Sequence, residues 1–402
     1  MRTAALLKEA LFISAATILL VLPAAAQTEA VIFSFQSGHK NGTTPLSHLV
    51  DFEGTLYGTA EKGGAGKFGA VFKLTNSNGA WKETLLHSFQ GKADGAYPGA
   101  GLIRDSSGAL YGSTERGGSK DEGTAFKLSN TGNGWSEEVL HSFTGGSNDG
   151  SHPYAELTLD PTSGNLYGMT YNGGASNCGV VYQLALANGI WTETILHTFG
   201  GSDGCNPGHT AIKEDSLGNL YGVTVSGGAS GFGAAFMLTS DNGVWSQTVL
   251  HSFEGNSDGA YGSAVDITPS GILYGATSAG GIDGAGTIFQ LAQSGGKWNE
   301  TILYNFAGTP DGSSPYGMNY DHTTGVLYGT TELGGAQNKG TVFQLAPNGN
   351  SWKETVLHSF GGKPDGALPE AGISEDKTTG VFYGTTSEGG TGNEGSVFSL
   401  TQ

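Results

Sequence analysis
The sequence predicts an all-β fold: a seven-bladed β-propeller of four-stranded antiparallel blades, closed by the N-terminal strand completing the last blade. Three observations carry this. A Leu-Tyr-Gly step (Phe-Tyr-Gly in the last copy) recurs at Tyr57, Tyr111, Tyr167, Tyr221, Tyr274, Tyr328 and Tyr383, a period of about 54 residues. Each unit divides into four short runs rich in β-branched and aromatic residues, separated by Gly, Asn and Asp turns. Finally, the seventh unit stops one strand short, and the missing strand stands at the other end of the chain.

The elements follow in order. Residues 1–26 read as a secretory signal peptide: Arg2 and Lys8 precede an apolar run over 10–22, and Ala24-Ala25-Ala26 supplies small residues for cleavage. That run is too short to span a bilayer comfortably. No Cys follows the cleavage site and no hydrophobic tail ends the chain, so residues 27–402 are expected to be one propeller, secreted or periplasmic, with no membrane insertion.

In the second unit the runs are 99–105, 110–114, 123–128 and 135–143, with turns at Ser106-Ser107-Gly108, Gly117-Gly118 and Asn133-Gly134. No segment after the signal peptide keeps a 3.6-residue period, so no helix is expected. Trp81, Trp135, Trp191, Trp245, Trp298 and Trp352 each mark the approach to a fourth strand; the seventh unit has none. Val31-Ile32-Phe33-Ser34-Phe35 matches the Leu-His-Ser-Phe close of the other fourth strands. Its insertion beside the last blade removes two sheet edges.

Segments such as Thr355-Val356-Leu357-His358-Ser359-Phe360, Leu327-Tyr328-Gly329-Thr330-Thr331 and Gly340-Thr341-Val342-Phe343-Gln344-Leu345 resemble the GloVer tandem repeat, in all seven copies. The resemblance implies an exported bacterial protein and brings no activity or catalytic residue with it. The sequence departs from anchored members in showing no recognisable C-terminal sorting tail, so no such anchor is expected.

Composition narrows the function. A net charge of −18 argues against nucleic acid, which requires clustered Lys and Arg. With 70 glycines but 37% hydrophobic residues the chain can still build a core. The mature chain has only Arg104 and Arg116, too few for a sialidase-type arginine cluster. Gly63-Gly64-Ala65-Gly66-Lys67 lies between strands without the helix a phosphate loop needs. No cofactor or metal is expected, and the protein is expected to be a monomer.

Residues present in every unit are read as structural. His87, His141, His197, His251 and His358, with Phe33 and Tyr304 in the same column, sit one per blade and cannot share one ion. The Asp-Gly column (Asp94, Asp149, Asp203, Asp258, Asp311, Asp365) and the Asp column Asp51, Asp105, Asp160, Asp215, Asp321 and Asp376 read as turn formers. A site is sought instead where copies differ, on the face shared by the entry loops and the Gly-Gly loops. Tyr97, His152, Tyr154, His209, Tyr261 and Tyr316, with Glu115, Glu332 and Glu370, are the ligand-binding candidates there, alongside Glu61, Arg116, Tyr171 and Glu388. Tyr stacks on sugar rings and Glu accepts from sugar hydroxyls, so the expected partner is a polysaccharide or surface glycan. A carbohydrate-active hydrolase or lyase on the same face is the alternative, and a purely structural protein the third reading. Cys178 and Cys205, the only cysteines, lie in loops on that face and are expected to form a disulfide in an oxidising compartment.

Overall fold
The computed structural model describes residues 28–38, 41–208 and 210–401, which leaves the expected signal segment 1–26 and His209 outside the described residues. Seven four-stranded antiparallel sheets follow one another around a ring. Blade 5 is representative: Ala260–Ile267, Leu273–Ala279, Thr287–Ser294 and Lys297–Asn305 run from the channel outward in chain order. Blade 7 takes Ser374–Asp376, Val381–Thr386 and Ser396–Thr401 from the C-terminal end and its outer strand, Thr28–Ser34, from the N-terminal end. Thr28 lies opposite Thr401 and Ser34 opposite Ser396, so the ring closes as the sequence predicts. No helix occurs among the described residues.

The repeated columns prove to be joints between blades. The Gly of each Tyr-Gly step lies under the ring of a third-strand aromatic: a Cβ on Gly275 would stand 2.2 Å from Phe289 Cζ, and one on Gly168 2.4 Å from Tyr182 Cζ. That aromatic meets, edge to face, the closing Phe of the preceding blade, as in Phe253–Phe289 at 5.3 Å and Phe306–Phe343 at 5.1 Å between centroids. Phe35 of the N-terminal segment serves Phe72 in the same way at 5.3 Å. The Tyr of the step packs against the Trp of the following blade, as in Tyr57–Trp135, Tyr111–Trp191 and Tyr221–Trp298, except that Tyr328 meets Phe382 of blade 7, which has no Trp. Aromatic pairs of this kind add to simple burial, and here each one binds two blades.

The fourth-strand histidines face the Asp-Gly loops. His87, His141, His197, His251 and His358 place Nε2 3.3, 3.4, 2.9, 3.1 and 3.2 Å from the carboxylates of Asp94, Asp149, Asp203, Asp258 and Asp365. Where Tyr304 replaces His, its hydroxyl donates to Asp311 at 3.0 Å. The same carboxylates accept backbone N–H groups of their own loops, for example from Gln90 to Asp94 and from Thr144 to Asp149. Each fourth strand also carries a one-residue bulge: Ile302 pairs Phe289 and Tyr304 pairs Ile288, leaving Leu303 unpaired.

Cys178 and Cys205 are joined in a disulfide with Cα atoms 4.4 Å apart, tying the loop within blade 3 to the loop that enters blade 4. It closes a loop of 27 residues' separation, so its reduction is expected to lower stability by about 3 kcal/mol. Denaturant midpoints with and without reductant measure this. Titration of the unreduced, denatured protein should find no free thiol; one thiol or more per chain contradicts the bond.

Candidate functional site
Two sets of loops build the face at one end of the channel. The Asp-Gly entry loops pair with the Gly-Gly loops in two-residue ladders, Gly42 with Gly63, Gly150 with Gly173 and Gly366 with Gly389. The residue before each entry-loop proline has a left-handed backbone, with φ of 58° at Tyr97 and 54° at His152. Tyr261, in the blade without that proline, has φ of 60°. Its N–H reaches back to the preceding blade, as from Tyr97 to the Phe68 carbonyl, His152 to Glu122 and Tyr261 to Phe232. A non-glycine residue holds this conformation only where its surroundings fix it. The loop frame is therefore shared, and the side chains hung on it differ.

The channel opens into a cavity of about 700 Å³ lined by Glu61, Glu115, Tyr154, Tyr316 and Glu370, among others. Beside it, a recess of about 300 Å³ is lined by Glu115, Arg116, His152, Tyr154, Tyr171 and Asn172. Of the nine sequence candidates, Tyr154, Tyr316, Glu115 and Glu370 thus meet in the larger space, and His152 borders the smaller. Glu332 is close enough to raise the pKa of both Tyr316 and Glu370. Tyr97 and Tyr261 do not join them: their rings pack on Phe68 and Phe232 at 5.8 and 6.1 Å. The left-handed residue ahead of the Pro position carries its side chain toward the preceding blade, whereas the residue after Pro points to the channel. His209 lies outside the described residues.

The acids form a crescent. Glu332 of blade 6, Glu370 of blade 7, Glu61 of blade 1 and Glu115 of blade 2 occupy one side, while the column of Glu61, Glu115 and Glu332 continues as Val225 and Ser278 in blades 4 and 5. Burial raises Glu332, and burial followed by the charges of Glu332, Glu61 and Glu388 raises Glu370, against a lowering hydrogen bond from Ser387. Burial, with Glu332, Glu370 and Tyr171, pushes Tyr316 up to about 12. Tyr154 rises as well, through burial and its hydrogen bond to Glu115, and its ring meets Tyr171 edge to face at 5.7 Å. His152 has both ring nitrogens buried without a hydrogen-bond partner; Nδ1 is 3.8 Å from Glu122 Oε2.

Deeper in the channel lies a pair that sequence reasoning missed. His48 Nδ1 of blade 1 is 2.9 Å from Glu156 Oε2 of blade 3. Burial would lower His48, but the charge and hydrogen bond of Glu156 outweigh it and raise the imidazole above its ordinary value, with Lys213 opposing. The pair reaches across blade 2 because Gly101 is there: a Cβ on it would stand 2.8 Å from His48 and 2.9 Å from Glu156. The signal was available in the column three residues after the entry-loop proline, where His48, Gly101 and Glu156 alternate in size and charge.

A model of the Gloeobacter/Verrucomicrobia repeat matches residues 14–217 and 208–402. A search of curated proteins finds no match. Among solved structures, a Bacteroides fragilis protein provisionally called a 6-phosphogluconolactonase superposes with a TM-score of 0.55 at 11% identity, over 86% of this chain and 97% of that one. A protein from Lactobacillus plantarum gives 0.53 at 16% identity, over 84% and 88%. The extracellular domain of what is provisionally called a hybrid two component system from B. thetaiotaomicron gives 0.57 at 10% identity, over 94% of this chain and 43% of that one. These likenesses are of fold alone.

Proposed function
We propose, for a chain that belongs to the Gloeobacter/Verrucomicrobia repeat family, that the protein is an exported, non-catalytic binding propeller whose channel mouth takes a segment of polysaccharide, with amino sugars preferred. The observation that carries this reading is the asymmetry of the mouth: Glu332, Glu370, Glu61 and Glu115 on one side, Tyr154, Tyr171 and Tyr316 beside them, around a cavity of about 700 Å³. Tyrosine rings stack on pyranose faces, and a crescent of crowded carboxylates is relieved by a cationic amine. A ligand hydroxyl that bonds a His152 ring nitrogen, accepting from the N–H or donating to the bare nitrogen, would also satisfy a buried polar group. Two of the groups that could act as acid or base are already engaged, Tyr154 by Glu115 and Glu370 by Ser387. That supports binding over hydrolysis.

Calorimetry with glucosamine oligomers and their N-acetylated counterparts tests it. Tyr154→Ala or Tyr316→Ala is expected to cost about 1–2 kcal/mol of affinity. Glu332 and Glu370 both take up protons at higher pH than ordinary carboxylates, so binding of a cationic amine should weaken as acidification neutralises them. Glu370→Gln should remove the preference for the amine while leaving N-acetylated oligomers bound. Release of shortened products, or binding mapped beside Trp135 and its counterparts, overturns the reading.

A further inference from the structure
The fourth-strand histidines cannot share one ion, yet three of them meet a second carboxylate supplied by the next blade. Between blades 4 and 5, His251 Nε2 is 3.1 Å from Asp258 Oδ2 and 3.5 Å from Glu300 Oε2. Between blades 6 and 7, His358 Nε2 is 3.2 Å from Asp365 Oδ2 and 3.9 Å from Glu29 Oε2. Between blades 2 and 3, His141 Nε2 is 3.4 Å from Asp149 Oδ1, with Glu193 completing the group. In each cluster one atom from every residue lies within 4.8 Å of the others.

A second observation is independent of those distances. Oε1 of Glu29, of Glu193 and of Glu300 is buried with no hydrogen-bond partner, and the Glu300 side chain is only 10% exposed. A buried carboxylate oxygen left unmet is costly, and a cation held by the carboxylate relieves it; in Glu29 and Glu300 the other oxygen, Oε2, is the one that faces the histidine. Glu137 and Glu354 share the unmet oxygen but lack the cluster. At the latter junction Tyr304 stands in place of His.

We propose that these three blade junctions are zinc sites, each formed by one His nitrogen, one Asp oxygen and one Glu oxygen, with water as the fourth ligand. One imidazole and two carboxylates are donors that zinc accepts, and together they balance its charge. Tetrahedral ligands about 2.1 Å from a zinc ion stand about 3.4 Å apart, which falls within the 3.1–3.9 Å seen between His and carboxylate atoms. Calcium, which gathers six to eight oxygens, is poorly served by so few. Each ion would join two neighbouring blades, and the Glu29 site would also fasten the N-terminal strand. The molecule contains its own contrast between blades 3 and 4. There His197 and Asp203 are present, but Gln247 replaces Glu and its amide donates to the Asp203 carbonyl at 2.9 Å.

The test uses the mature chain without an affinity tag, stripped with chelator and dialysed against zinc, with bound metal counted by mass spectrometry. Three ions per chain are expected, and Glu29→Gln, Glu193→Gln and Glu300→Gln should each remove one. Gln already occupies this column at position 247, so the variants should keep the circular dichroism of the parent. Zinc should raise the melting temperature of the parent and leave the triple variant unmoved. A parent that holds no zinc after dialysis, or a triple variant that holds as much as the parent, overturns the proposal.

Discussion

Deletion of residues 27–36 is expected to lower the melting temperature by about 10 °C or more and to make the protein self-associate. Thr28–Ser34 is the outer strand of blade 7, paired along its length with Ser396–Thr401. Without it, Ser396–Thr401 becomes an open edge with unpaired N–H and carbonyl groups, which other chains can pair with. The deletion also removes Phe35, which is fully buried against Phe72. Loss of one such ring alone costs about 3–5 kcal/mol. Differential scanning calorimetry and light scattering measure both effects. Unchanged melting of a monomeric truncation would show that ring closure contributes nothing to stability.

Phe289→Ala is expected to destabilise by about 3–5 kcal/mol in urea denaturation. Its side chain is fully buried, covers Gly275 and meets Phe253 of the preceding blade. The Gly beneath it supplies a sharper check. Gly275→Ala places a methyl group 2.2 Å from the ring in the parent, and the three atoms nearest to that methyl all belong to Phe289 and go with it. The two substitutions should therefore be far from additive, with Gly275→Ala costly alone and mild in the Phe289→Ala background. Additive costs would mean that Gly275 is required for some other reason.

The blade count, the closing strand and the turn-forming aspartates were legible because they depend on period, strand chemistry and local turn hydrogen bonds, which a repeated sequence displays without any knowledge of packing. The meaning of the Trp, Phe and Gly columns was harder to read, because each has its partner on another strand or in the adjoining copy. Phe289 needs Phe253, and Trp298 needs Tyr221. At the channel mouth, comparison of copies found Tyr154, Tyr316 and the acidic crescent, since variation on a uniform frame is visible in sequence. It also drew in Tyr97 and Tyr261, whose place depends on a left-handed φ that varied side chains do not announce. His48 and Glu156 were overlooked because they come from blades 1 and 3, and only the missing side chain of Gly101 lets them touch.

The bulge at Leu303 decides which neighbour each part of an outer strand addresses. With strict alternation, Trp298, Glu300, Ile302 and Tyr304 would all share one side. The unpaired residue reverses parity partway along. Trp298 and Glu300 therefore look back to Tyr221 and His251 of blade 4, while Tyr304 and Phe306 look forward to Asp311 and Phe343. The same reversal occurs in every blade, including the strand supplied by the N-terminal end. One extra residue per copy thus turns a rim strand into a two-handed link, and the ring is held by seven such links in series.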